Sequence, residues 1–342
     1  MNIFAITFNE FADALMQRHG KGAVLATVVY REVVKRGHKT FAHAPEFANA
    51  PDLAARIAAD LQFPECRIES QHDDDGVLKF ILALHDGQTI ESVIIPAKGR
   101  TTLCVSSQVG CRMGCKFCVT GQMGLLRNLT AEEIVAQVHT ARFVLKRRVD
   151  NIVFMGMGEP LDNFEPVVQA IRVMSDQRGL DISCRHITLS TAGHVDGLRR
   201  LAAANLPTLR LAVSIHAAND DLRNRLVPLN VRYPLARLKQ ELRAYPLARN
   251  GIFFIEYVLL AGVNDSQDDA RQLAAYLEGL PVRVNVIPYN GGSSRLFVTP
   301  AEDHVRRFCD WLTAAGLFVR RRQPRGRNVM AACGQLGAAP AE

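Results

Sequence analysis

Three of the eight cysteines in this 342-residue chain fall within eight positions: Cys111, Cys115 and Cys118 of "GCRMGCKFCVTG". Thiolates grouped in this way bind soft metals, and two centres compete for them. A closed tetrahedral zinc site needs four ligands, and Cys104, seven residues upstream, could be the fourth. Zinc knuckles and ribbons, however, pair their cysteines as C-x2-C, whereas the spacing here is C-x3-C-x2-C. The alternative is a [4Fe–4S] cluster held by three thiolates, its fourth iron left open for another ligand. An open coordination position belongs to a metal that meets substrate.

The elements that must position this loop are legible from residue 100 onward. Short β-rich runs alternate with helical patterns: "TTLCVSS", "NIVFMGMG", "HITLSTA", "LRLAVSIHA", "FFIEYVLLAG" and "RVNVIPYN" are each followed by an amphipathic stretch. Six such units predict parallel strands joined by right-handed crossovers, hence a barrel or an open α/β sheet. Chemistry in these folds sits at the carboxyl ends of the strands. The cysteine loop falls there, as do Gly158 and Glu159 of "GMGEP", then Ser190, then Ser214, Ile215 and His216, and finally Asn290.

Residues 1–75 read as a small, mostly helical accessory domain, with Asn9 expected to cap the first helix of "FNEFADALMQRHG". Residues 76–98 predict a β-hairpin turning at Asp86-Gly87 and carrying Glu91. The core is expected over 99–318 and a basic C-terminal segment over 319–342. Apolar residues make up 48% of the chain, enough for one large domain and a small one. No apolar run approaches the roughly 20 residues of a membrane span, and "MNIFAITFNEF" lacks the marks of a secretory leader. The expected compartment is therefore cytoplasmic, where disulfides are rare unless catalytic and where eight cysteines suggest metal or redox chemistry. Net charge is +7, with five arginines in the eight residues of "RRRQPRGR" (320–327). Such runs are usually solvated, but they also suit a phosphate-backbone partner.

Beyond these patterns, the chain resembles the RlmN/Cfr family of RNA adenine methyltransferases, which are radical S-adenosylmethionine (SAM) enzymes. "TLCVSSQVGCRMGCKFCVTGQMGLLRNLTAEEI", "VFMGMGEPLDN", "ITLSTAG", "AVSIHAANDDLRNRLVPLN", "EYVLLAGVNDS" and "AACGQL" carry the resemblance in order, from about Glu91 to Leu336. It implies a partial (β/α)6 barrel of the radical-SAM type, a [4Fe–4S] cluster on Cys111, Cys115 and Cys118, and SAM as cofactor. Gly158, Glu159, Ser190, Ser214, Ile215, His216 and Asn290 match the family positions around SAM.

The chemistry implied is unusual because carbons 2 and 8 of adenine are too electron-poor to attack a methyl group, so the cofactor must supply a radical. In the family mechanism one SAM methylates a cysteine, and a radical from a second SAM removes a hydrogen from that methyl group. The carbon radical adds to the ring, a base takes the ring proton, and a second thiol releases the product by forming a disulfide. Cys333 matches the methyl carrier, Cys104 the resolving thiol and Glu91 the base. Cys66, Cys184 and Cys309 match no motif and read as small hydrophobes. Arg327 and Asn328 stand where the family usually has an acidic residue, which makes the segment more basic without removing a catalytic group. The implied partners are ribosomal or transfer RNA and an electron donor such as flavodoxin or ferredoxin. The other readings are a radical-SAM enzyme on a non-RNA substrate, which needs no methylcysteine, and a noncatalytic, zinc-stabilised RNA-binding protein.

Overall fold

The computed structural model describes residues 1–291, 296–322 and 334–337. Its strands are β1 (Arg67–Asp74), β2 (Val77–Ala83), β3 (Thr89–Ala97), β4 (Arg100–Cys104), β5 (Gln108–Cys111), β6 (Gly124–Asn128), β7 (Asn151–Phe154), β8 (Ile187–Thr191), β9 (Arg210–Ser214), β10 (Phe253–Leu259), β11 (Val282–Pro288) and β12 (Val319–Arg321). One sheet runs in the order β1-β2-β3-β4-β7-β8-β9-β10-β11-β12, and β5 with β6 forms a separate ribbon around the cysteine loop. From β1 to β4 the pairing is antiparallel, and from β4 onward it is parallel. The ends β1 and β12 do not pair with each other, so the α/β sheet is an open, partial barrel rather than a closed one.

The six expected parallel strands are β4 and β7 to β11. β12 extends the set, because "VRR" shows charge instead of strand alternation. β1 is likewise hidden in the polar run "RIESQHDD", where an edge strand needs no apolar face. Crossover helices follow the strands, and two open with reciprocal capping boxes, Thr130 with Glu133 and Ser266 with Asp269. Among the described residues no helix is long and apolar enough to cross a membrane.

The first helix, Phe8–His19, is capped by Thr7 and not by Asn9, which lies inside it. The Thr7 backbone N–H donates to Glu10 at 2.7 Å. These N-terminal residues share their apolar packing with the sheet: one continuous core runs from Ile3 and Phe11 through Tyr30 and Ile171 to Leu336. The Phe8 backbone N–H also donates across to Asp176 at 2.7 Å.

Strand alternation then divides the sheet into two unlike faces. Leu103, Ile152, Phe154, Leu189, Leu211 and Ile255 fill one face and are at most 1% exposed. Cross-strand partners share a face, so the register aligns Lys79, Val93, Cys104, Val153 and Thr188 in a row on the other. Glu91 and Ser190 lie two residues along from members of this row. Ser214, Glu256 and Asn285 form a second row on the same face. The chain thus spends one face on the core and keeps the other polar.

Candidate active site

The cysteine loop hangs from the β5–β6 ribbon, with Cys111 at the end of β5. Beneath it lies a second apolar cluster of Phe117, Ala217, Leu222, Val258 and Ile287, against which Cys115 and Cys118 pack. Burial pushes the Cys111 thiol up to about 12 and raises Cys115 and Cys118 as well. Backbone hydrogen bonds from Gly121 and Thr120 act the other way on Cys118, favouring its thiolate. A single zinc ion, with Zn–S near 2.3 Å, would draw its sulfurs to about 3.8 Å from one another. Among the described residues, the donor triplet gathered within 4.8 Å is Glu32, His38 and His43, not the cysteines. Three thiols on one short loop are the donor set that a [4Fe–4S] cluster with one open iron takes. Arg31 and Arg36 already hold the Glu32 carboxylate, so that triplet is an ion-pair hub.

Gly158 and Glu159 follow β7. Gly158 has φ +102°, and a Cβ there would stand 2.6 Å from the Gln108 Cβ, so close packing against the β4–β5 connection requires glycine. Glu159 is buried, and its carboxylate accepts the backbone N–H groups of Ala192 at 2.7 Å and Leu161 at 3.2 Å. Burial pushes it up to about 7 despite those bonds. A methionyl ammonium favours the ionised form, so SAM binding should weaken below pH 7, by up to about tenfold per pH unit. Equilibrium dialysis between pH 6 and 8 measures this. Glu159→Gln should flatten the dependence, and a flat wild-type profile would remove Glu159 as the ammonium acceptor.

Ser190 is the penultimate residue of β8 and Ser214 ends β9, with Ile215 buried just beyond it. The His216 Nδ1 accepts from the Val258 backbone N–H at 3.0 Å, which leaves the proton on Nε2. Burial, with Arg223 nearby, holds this imidazole down to about 3, so it is neutral. Its ring meets Phe117 edge-on at 4.7 Å, joining the expected SAM site to the cysteine loop. Asn290 is buried just beyond β11.

Arg223 escapes a reading of the sequence, because "DDLRNRL" looks like a solvated helical turn. It is completely buried, donating to the carbonyls of Ile215, Ala192 and Ser214 and to the Asn230 side chain. A planar guanidinium can meet several carbonyls at once, and it ties the β8 and β9 ends together.

At the antiparallel end, Glu91 and Cys104 share the polar face, and both are buried. Cys333 lies outside the described residues, as do Arg325, Arg327 and Asn328. Residues 334–337, immediately after it, are described. The Gly334 carbonyl accepts from the Val119 N–H at 2.8 Å, and the Thr120 hydroxyl donates to the Leu336 carbonyl at 2.6 Å. A hydrogen bond from the Gly337 backbone reaches Glu91. Gly337 has φ +96°, and a Cβ there would run into the Met123 sulfur. Of the arginine run, Arg321 pairs with Glu302, and Arg322 turns inward to Glu256 at 3.7 Å. These two charges are therefore engaged with carboxylates. Cys66, Cys184 and Cys309 are half-buried and pack against the main core, whereas Cys115 and Cys118 pack against the second cluster.

Comparison with known proteins agrees with this geometry. Residues 105–274 match the Radical SAM superfamily. The chain is 42% identical over 337 residues to the probable dual-specificity RNA methyltransferase RlmN 1 of Protochlamydia amoebophila, covering 98% of this chain and 94% of that one. It is 41% identical to the dual-specificity RNA methyltransferase RlmN of Geobacter sulfurreducens, covering 98% and 92% respectively. The crystal structure of a radical SAM methyltransferase from Sphaerobacter thermophilus superposes with a TM-score of 0.91 at 38% identity, over 98% of this chain and 99% of that one. The three-cysteine loop, the polar sheet face and these near full-length likenesses place the chain in the RlmN family of radical SAM methyltransferases.

Proposed function

We propose that the chain methylates carbon 2 or carbon 8 of an adenosine in ribosomal or transfer RNA through a methylated Cys333. Cys111, Cys115 and Cys118 hold the [4Fe–4S] cluster. Gly158, Glu159, Ser190, Ser214, Ile215, His216 and Asn290 hold SAM. When bound, the two cofactors supply a carbon-centred radical able to take a hydrogen atom from a methyl group. Glu91 takes the proton that the ring carbon loses, and Cys104 attacks the Cys333 sulfur, forming a disulfide and freeing the new methyl group. The reducing electron comes from a small donor such as flavodoxin or ferredoxin, and the enzyme works in the cytoplasm.

The observation that supports this reading is the docking of residues 334–337. They touch the cysteine loop on one side and Glu91 on the other, and Cys333 is their covalent neighbour. The relatives' names include RNA methylation, and a non-RNA substrate or a zinc-stabilised scaffold has no comparable observation in its favour. The test is mass spectrometry of ribosomal and transfer RNA from a strain lacking the protein. One or more methyladenosines should disappear and return on complementation with the wild-type chain, but not with Cys333→Ala. Unchanged RNA in the deletion strain would overturn the assignment.

A further inference from the structure

β2 reads "VLKFILA", apolar at every position but one, and that lysine, Lys79, is 0% exposed. An ammonium in such a strand is tolerated only when a partner compensates its charge. The register sets Lys79 opposite Val93 and Glu91 opposite Ile81, so the two side chains meet diagonally on the polar face. The Lys79 Nζ lies 3.5 Å from the Glu91 Oε2, and neither atom has a hydrogen-bond partner among the described residues. The backbone beneath them is fixed. The Ser106 hydroxyl donates to the Glu91 carbonyl at 2.6 Å, and Gln137 accepts from both the Ser92 hydroxyl and the Ser106 N–H at 2.8 Å.

We propose that Lys79 is a positioning residue for proton removal, a buried cation that keeps Glu91 ionised and oriented toward the polar face. This rests on the reading of Glu91 as the base. The carboxylate has acceptor sites to spare, so the Lys79 contact at 3.5 Å leaves room on Glu91 for the incoming proton. In the step, the bonding electrons of the ring C–H stay with the ring and the proton moves to Glu91. Among the described residues, Lys79 from β2 and the Gly337 backbone from the C-terminal segment reach Glu91, and Cys104 of the adjoining β4 lies on the same sheet face. Among the described residues Lys79 is the charged group acting on it: burial raises the Glu91 carboxyl, and Lys79 pulls it back.

Removing the cation leaves burial unopposed, so Glu91 stays neutral to higher pH and the acid limb of the rate profile moves upward. Single-turnover methylation by the cluster-loaded enzyme, on total ribosomal and transfer RNA from the deletion strain, reads this between pH 6 and 9. Lys79→Met and Lys79→Gln should shift the limb up by at least one unit, slowing turnover at least tenfold on its acid side. Iron content and Cys333 methylation should stay at wild-type levels, and Lys79→Arg should restore the limb. An unmoved limb, or an equal loss at every pH, overturns the proposal, because a purely structural lysine would behave that way. The Glu91→Gln variant separates the two readings: full turnover there removes the base itself, irrespective of Lys79. If Glu91→Gln is inactive while both neutral Lys79 variants keep the wild-type profile, the base stands and the positioning role falls. Should neither neutral Lys79 variant fold alone, each is combined with Glu91→Gln, which removes the buried carboxylate too. Recovered folding in the double variants supports the pairing, and continued misfolding counts against it.

Discussion

Alanine in place of Cys111, Cys115 or Cys118 should abolish cluster assembly and SAM cleavage together. Three thiolates are the fewest that can hold the cluster while leaving one iron open, so losing one leaves no cage. Among the described residues, no cysteine beyond these three belongs to the loop. Cys104 belongs to β4, on the polar sheet face, and the other cysteines match no part of the loop. Burial keeps the unliganded thiols protonated, and a coordinating metal is what makes them thiolates. Iron and sulfide should fall from about four each per chain to background, and the brown colour of anaerobically purified protein should vanish. Methylation should drop to below about 1% of wild type, a loss of more than about 2.7 kcal/mol in transition-state terms. A variant with full iron content and activity would refute the ligand assignment. Colourless wild-type protein containing zinc would restore the scaffold reading.

Much of this arrangement was legible in the sequence because strand ends and metal-ligand spacings are local signals. The six parallel strands, the hairpin at Asp86-Gly87 and the positions of Glu159, Ser190, Ser214 and His216 follow from periodicity and punctuation. The first helix cap was also available: Thr7 and Glu10 form the S/T-x-x-E pattern, a stronger cue than Asn9 alone. Other features depend on contacts between distant segments. Arg223 looks solvated in its own helix, and only the convergence of three carbonyls from the β8 and β9 ends makes it central. Lys79 interrupts an apolar strand, but its partner is set by the register of β2 on β3, which the local pattern does not give. The arginine run shows the same limit. Its composition suggests free charge, while the fold directs Arg321 to Glu302 and Arg322 to Glu256.

Cys104→Ala and Cys333→Ala should fail at different steps, and the difference can be seen on a gel. Without Cys333 there is no sulfur to carry the methyl group, so no methyl reaches RNA and no protein–RNA bond forms. Without Cys104 the earlier steps remain: Cys333 is methylated, a hydrogen is lost from that methyl, and its carbon joins the adenine ring. Release then lacks the thiol that would attack the Cys333 sulfur, and the thioether-linked species should accumulate. Cys104 is the buried last residue of β4, opposite Val93, and alanine is the smallest change that removes its thiol. Turnover should fall at least about 100-fold in both variants, about 2.7 kcal/mol in the rate-limiting step. Only Cys104→Ala should show a slow-migrating band under denaturing conditions that collapses on ribonuclease treatment. Combining it with Cys333→Ala should erase the band, because the bond is made through the Cys333 methyl group. If Cys104→Ala turns over normally, or if the double variant still crosslinks, the two-thiol mechanism is wrong for this protein.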